Sequence, residues 1–102
     1  MIVYNTTFHA DDAFRQQFLD WVKSEFVPRA LSSGTLSEPR LTKVLVTGDD
    51  NGSSYSLQFR AGSLDDLSRW YEEVGNDLME SLTKKFGNAV AGFSTLLEEV
   101  EL

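Results

Sequence analysis

The chain has 102 residues, 41% of them hydrophobic and 25% charged, the mix of a single globular domain without a run long enough to span a bilayer. Sixteen Asp and Glu against nine Lys and Arg give a formal charge of −7, a sign that repels polyphosphate and anionic lipid, so neither nucleic acid nor a membrane is expected as a partner. The absence of cysteine excludes disulfides and thiolate metal sites, leaving packing or association to stabilise so small a domain, and the opening MIVYNTTFHADD lacks secretory-signal features, so a cytoplasmic location is expected.

Residues 2–9 alternate, with Ile2, Tyr4, Thr6 and Phe8 on one side and Val3, Asn5, Thr7 and His9 on the other, which predicts a first strand. Asp11 or Asp12 then offers an N-cap, since a short carboxylate accepts from free first-turn amides and suits the positive end of a helix dipole. Phe14, Phe18, Trp21, Val22 and Phe26 recur at spacings of three and four, the stripe of an amphipathic helix. Pro28 lacks an amide hydrogen, so this helix is expected to kink or end near Phe26 and Val27.

A second strand starts at Leu36, with Pro39 tolerated near its beginning or at a sheet edge and its body at Leu41 to Thr47. Gly48, Asp49, Asp50, Asn51 and Gly52 form the strongest turn signal in the chain and predict a hairpin. In the following strand, Ser53 to Ala61, the residues Tyr55, Leu57, Phe59 and Ala61 face one way, while Ser54, Ser56, Gln58 and Arg60 face the other. Ser63 and Asp66 make a variant capping box before a second helix striped by Leu64, Leu67, Tyr71, Val74, Leu78 and Leu82. Gly75 is expected to weaken that helix by about 1 kcal/mol relative to alanine, and Gly87 to cap its end. Val90 to Val100 reads as a last strand.

The order β-α-β-β-α-β, with right-handed crossovers and a hairpin, leads to an α+β fold: a ferredoxin-like sandwich over residues 1–102. Its antiparallel sheet has the order 4-1-3-2 and both helices on the face that bears Ile2, Tyr4, Phe8, Tyr55, Leu57 and Phe59. The other face is left bare, and on it Asn5, Thr7, His9, Ser54, Ser56 and Gln58 mix with Val3 and with Val90 or Leu96. Such a surface is neither core nor plain solvated sheet, and a second copy stacked face to face would cover it, so a homodimer is expected.

YNTT (Tyr4 to Thr7), SEPRL (Ser37 to Leu41), SYSLQFR (Ser54 to Arg60), RWYEEVG (Arg69 to Gly75) and GFSTLLEEVEL (Gly92 to Leu102) together resemble a family of small bacterial proteins classed as a domain of unknown function. The resemblance covers the whole chain and implies a dimeric α+β barrel. It lends no catalytic residue. The wider barrel group includes cofactor-independent monooxygenases, haem-degrading enzymes, small isomerases and ligand-sensing domains, an analogy of fold alone.

Any site must draw on few groups. Asn5, Thr7, His9, Ser56, Gln58 and Arg60 form the candidate pocket, because residues on paired central strands project together and could line a polar chamber between sheet and partner; the plainer account is a hydrogen-bonded dimer interface. Arg60 could hold a carboxylate bidentately or pair with the acidic last strand. His9, the sole histidine, reads as a strand-end residue bonded to a turn; with Asp11 and Asp12 it would make a metal triad only if the turn folded all three inward, so neither metal nor cofactor is expected. Trp21, Trp70 and Tyr71 fit core packing better than ligand stacking, and Glu98, Glu99 and Glu101 fit an edge strand charged against further pairing. The function expected is small-molecule binding by a homodimer, against a monooxygenase-like or isomerase-like enzyme using Arg60, Asn5 and His9, or a structural protein without a small-molecule site.

Overall fold

The computed structural model describes residues 1–45 and 52–102. Strand β1 (Ile2–Asp11) pairs antiparallel with both β3 (Gly52–Ala61) and β4 (Val90–Glu98), and β2 (Leu36–Lys43) pairs with β3, giving the order β2-β3-β1-β4. From the other edge this is the expected 4-1-3-2. The turn read at Gly48 to Asn51 lies outside the described residues, as do Val46 and Thr47 of the predicted second strand.

Two helical arms cross one face of the sheet. The first consists of a short 3-10 turn (Asp12–Phe14), α1 (Arg15–Trp21), a wide π turn (Val22–Phe26) and α2 (Val27–Leu31); the second of α3 (Leu64–Trp70), a π turn (Tyr71–Gly75) and α4 (Asn76–Phe86). The first arm does not end near Phe26 and Val27; the irregularity there is the π turn. The π turn closes with Val27 N–H donating to the Val22 carbonyl, and Pro28 falls in the first turn of α2, where a missing amide hydrogen is tolerated. Nor does either aspartate cap the first arm. Asp11 stays in β1 opposite Gly52 and makes no side-chain cap bond, because the strand runs two residues further than its alternation predicts. The second arm begins as read, with the Ser63 hydroxyl accepting from Asp66 N–H at 3.1 Å, and ends at Gly87 with φ +54°.

Alternation along the strands builds the core. Ile2, Tyr4, Phe8 and Ala10 of β1 and Tyr55, Leu57, Phe59 and Ala61 of β3 are buried in one cluster with Phe18, Trp21, Val22, Phe26, Leu67, Trp70, Leu78, Leu82 and Phe86 from the arms. Phe8 meets Phe18 and Phe26 with ring centroids 5.2 and 5.9 Å apart, in tilted and edge-on geometries that aromatic quadrupoles favour. Trp70 is the pin between the arms: its ring packs edge-on to Tyr4 at 5.4 Å, and its indole N–H donates to the Ala30 carbonyl over 2.9 Å.

Gly75, expected to be only a weak point, has a packing role. A Cβ there would stand 2.7 Å from Cζ3 of Trp70 and 2.9 Å from Cδ2 of Tyr71, so only glycine lets the arm close over the indole. The same π turn undoes the predicted stripe. A five-residue step from buried Trp70 to buried Gly75 carries Tyr71 out to 42% exposure, where an unbroken period of 3.6 would have kept it in the core.

The last strand also corrects the sequence reading. Val90 pairs with Ala10 and Leu96 with Tyr4, so both lie on the helix side, and the apolar residues it gives the open face are Phe93, opposite Thr7, and Leu97, opposite Val3. Both phases of VAGFSTLLE carry apolar side chains, so the pattern alone had no way to choose between them.

Candidate functional site

The open face is a ladder of short polar side chains. Asn5 pairs with Gln58 and Thr7 with Ser56 across β1 and β3. The Ser56 hydroxyl donates to Asn5 Oδ1, and Asn5 Nδ2 donates to Thr7 Oγ1 at 3.3 Å. His9 Nδ1 lies 2.9 Å from Ser54 Oγ, and its ring rests against Gly52, where a Cβ would collide with Nε2. Asn5, Thr7 and Ser56 thus form one hydrogen-bonded cluster with His9 beyond it.

Arg60 and Gln58 sit at the other end of the face. They line a hollow of about 270 Å³ with Val3, Glu38, Arg40, Phe59 and Glu99. Of the six predicted pocket residues, the structure brings these two into one concavity and places the other four along the neighbouring ladder. Arg60 Nη1 donates to Glu38 Oε2 at 2.6 Å, while Nε donates to Glu99 Oε1 at 3.0 Å and Nη2 bonds the same oxygen. The hydrogen bond to Glu38, followed by that to Glu99, raises the guanidinium above its ordinary value, although the group is open to water. Being held charged by a raised pKa, the clamp loses strength from the arginine's side only at alkaline extremes.

Glu38 reaches Arg60 through a local irregularity. Ser37 pairs with Arg60 and Arg40 with Gln58, so two residues, Glu38 and Pro39, fill the space of one, and Glu38 takes a positive φ of 52°. That is a β-bulge on an edge strand, the place where proline costs no ladder bond. A non-glycine residue in the left-handed region marks a position that its surroundings hold in place. The SEPRL segment is this bulge, and sequence reasoning gave Glu38 no role.

A second concavity lies on the helix side, between β4 and the second arm. It measures about 410 Å³ and is lined by Tyr4, Leu64, Leu67, Ser68, Tyr71, Glu72, Ser94 and Leu96. Ser94 Oγ lies 3.1 Å from Thr6 Oγ1 and 3.4 Å from the Tyr4 hydroxyl at its floor. Of these residues the sequence singles out only Tyr71 as a candidate for ligand stacking; the signal that finds the groove is the five-residue step at the π turn. Among the described residues, no group of three or more His, Cys, Asp or Glu side chains is placed to hold a metal ion, and no helix is long and apolar enough to cross a membrane.

An antiparallel sheet of order 2-3-1-4, with two helical arms on one face, a polar ladder on the other and a concavity on each, defines an α+β protein of the ferredoxin-like class. Residues 1–100 match the model of the family described as Domain of unknown function (DUF4286), and the chain belongs to that family. No curated protein matches it in sequence. Among solved structures it is similar to HapK from Hahella chejuensis (TM-score 0.71, 10% identity, covering 98% of this chain and 93% of that one). It is similar too to an ethyl tert-butyl ether d (ethd) family protein from Bacillus halodurans c-125 (TM-score 0.70, 14% identity, 98% and 100% covered). A dimeric ferredoxin-like protein from an uncultured marine organism also superposes (TM-score 0.70, 15% identity, 100% and 97% covered). At such identities these likenesses show the fold alone.

Proposed function

We propose that the chain acts as a homodimeric small-molecule-binding domain, two copies meeting through their open sheet faces. One observation carries this reading: Phe93 and Leu97, 65% and 44% exposed, stand opposite Thr7 and Val3 on the side of the sheet that the arms leave uncovered. Side chains of that size gain by leaving water, at roughly 25 cal/mol per Å². Four strands about 4.8 Å apart and roughly 30 Å long present ~600 Å² in projection, near the ~800 Å² per partner of a stable interface. The polar ladder beside the apolar strip has its hydrogen bonds made within the sheet, so covering it leaves few groups unpaired. A ferredoxin-like structural neighbour described as dimeric supports the same assembly.

Stacking two such faces would roof the hollow beside Gln58, Arg40 and Arg60, and a small polar molecule would sit there, between sheet and partner. Its contacts would come from Gln58 and Arg40, because Arg60 is engaged by Glu38 and Glu99.

Sedimentation of the wild type at micromolar concentration is expected to give twice the mass of one chain, and Leu97→Asp to give single chains with an unchanged circular dichroism spectrum. A monomeric wild type would overturn the dimer. For the ligand, thermal-shift screening of small polar metabolites is expected to find a compound that adds about 2.7 kcal/mol at a hundred times its Kd, with the gain abolished by Arg40→Ala. Stabilisation that survives this substitution would place the ligand elsewhere.

A further inference from the structure

The groove on the helix side has a chemistry unlike that of the open face. Its walls are apolar: Leu64 and Leu96 are 54% and 53% exposed, the ring of Tyr71 is turned out by the π turn, and Leu67 forms part of the base. Solvent-facing residues of this kind gathered around one concavity, rather than scattered singly, mark a surface with an occupant. Its volume lies within the range of small-ligand pockets.

The floor adds direction. Tyr4 is buried, with its ring fixed against Trp70, and its hydroxyl oxygen accepts a hydrogen bond from the Ser94 hydroxyl over 3.4 Å. With Ser94 as donor, the phenolic proton is left to donate into the groove. Thr6 Oγ1, buried behind Ser94, completes a row of three hydroxyls that orients it. Charge sorts the ligands further, since among the described residues the lining includes the acidic Glu72 and no Lys or Arg. In a chain of net charge −7, such a groove rejects anions.

We infer that this groove binds an uncharged, largely apolar small molecule that presents one hydrogen-bond-accepting oxygen, a ketone or ester carbonyl, to the hydroxyl of Tyr4. Leu64, Leu67 and Leu96 enclose the body of the ligand, Tyr71 lies along it, and Tyr4 with Ser94 holds the oxygen. The site is separate from the hollow beside Arg60, being on the opposite face of the sheet, and does not depend on the dimer.

Three probes of one shape test it: 2-acetylnaphthalene, naphthalene and 2-naphthoate, titrated into the full chain while backbone amide shifts are followed by NMR. The ketone is expected to move the amides of Leu67, Tyr71 and Leu96 and to bind about tenfold more tightly than naphthalene, the weight of one hydrogen bond, while the carboxylate does not bind. Tyr4→Phe keeps the ring that packs on Trp70 and is expected to reduce the ketone's affinity to that of naphthalene. Leu96→Glu, on the exposed edge strand, is expected to abolish binding of both without altering the oligomeric state. Equal binding of ketone and carboxylate, an affinity unaffected by Tyr4→Phe, shifts confined to the open face, or no binding at millimolar probe would each overturn the assignment.

Discussion

Along β1 the even-numbered side chains Ile2, Tyr4, Thr6, Phe8 and Ala10 are buried beneath the arms, whereas the odd-numbered Val3, Asn5, Thr7 and His9 stand half-covered on the open face. One strand thus serves two surfaces stabilised in different ways. The helix side draws its strength from large rings removed from water and packed against each other, and it tolerates no change of volume. The open side is held by bonds between neighbouring short side chains and by the Arg60 clamp, interactions that water can replace. Stability therefore resides on one face, and the other is left to change with what it meets.

That contrast predicts a graded set of losses. Phe8→Ala, which removes a fully buried ring touching Phe18 and Phe26, is expected to destabilise the chain by about 3–5 kcal/mol in chemical denaturation. Gly75→Ala is expected to cost about 1–3 kcal/mol through overpacking against Trp70. In an exposed helix the same change is favourable by up to about 1 kcal/mol, so a stabilised variant would show that the arm does not close over the indole as described. Ser56→Ala, on the open face, removes one hydrogen bond to Asn5 and is expected to cost no more than about 1 kcal/mol. If its effect equalled that of Phe8→Ala, the division of labour between the faces would be broken.

Most of the architecture was legible because it rests on alternation and capping, which are local. The phases of β1 and β3, the Ser63 cap and the Gly87 stop follow from residues close together in the chain, and the strand order follows from the order of elements once crossovers are right-handed. The phase of β4 was not legible, since both of its faces are apolar. The π turns were hidden for a related reason: a periodic reading assumes a constant step, and neither Val22–Phe26 nor Tyr71–Gly75 keeps one.

Of the candidate site, the shared projection of Asn5, Thr7, Ser56, Gln58 and Arg60 was readable from pairing. The capture of Arg60 by Glu38 was not, because it depends on a bulge whose positive φ falls on a glutamate rather than a glycine. The helix-side groove depended on Leu96 and Tyr71, each assigned to the wrong surface by a regular period.

The wide turns carry one more implication, for the lengths the chain can take. An α-helix advances about 100° per residue, so deleting a residue from its interior rotates everything downstream away from its contacts. Each wide turn holds a spare residue relative to a regular helix over the same distance. Losing Glu73 from the second arm would shorten the step from Trp70 to Gly75 from five to four and leave Leu78, Leu82 and Phe86 pointing at the sheet. The arms thus contain built-in slack at their midpoints, and relatives one residue shorter there can keep the same core without moving a strand.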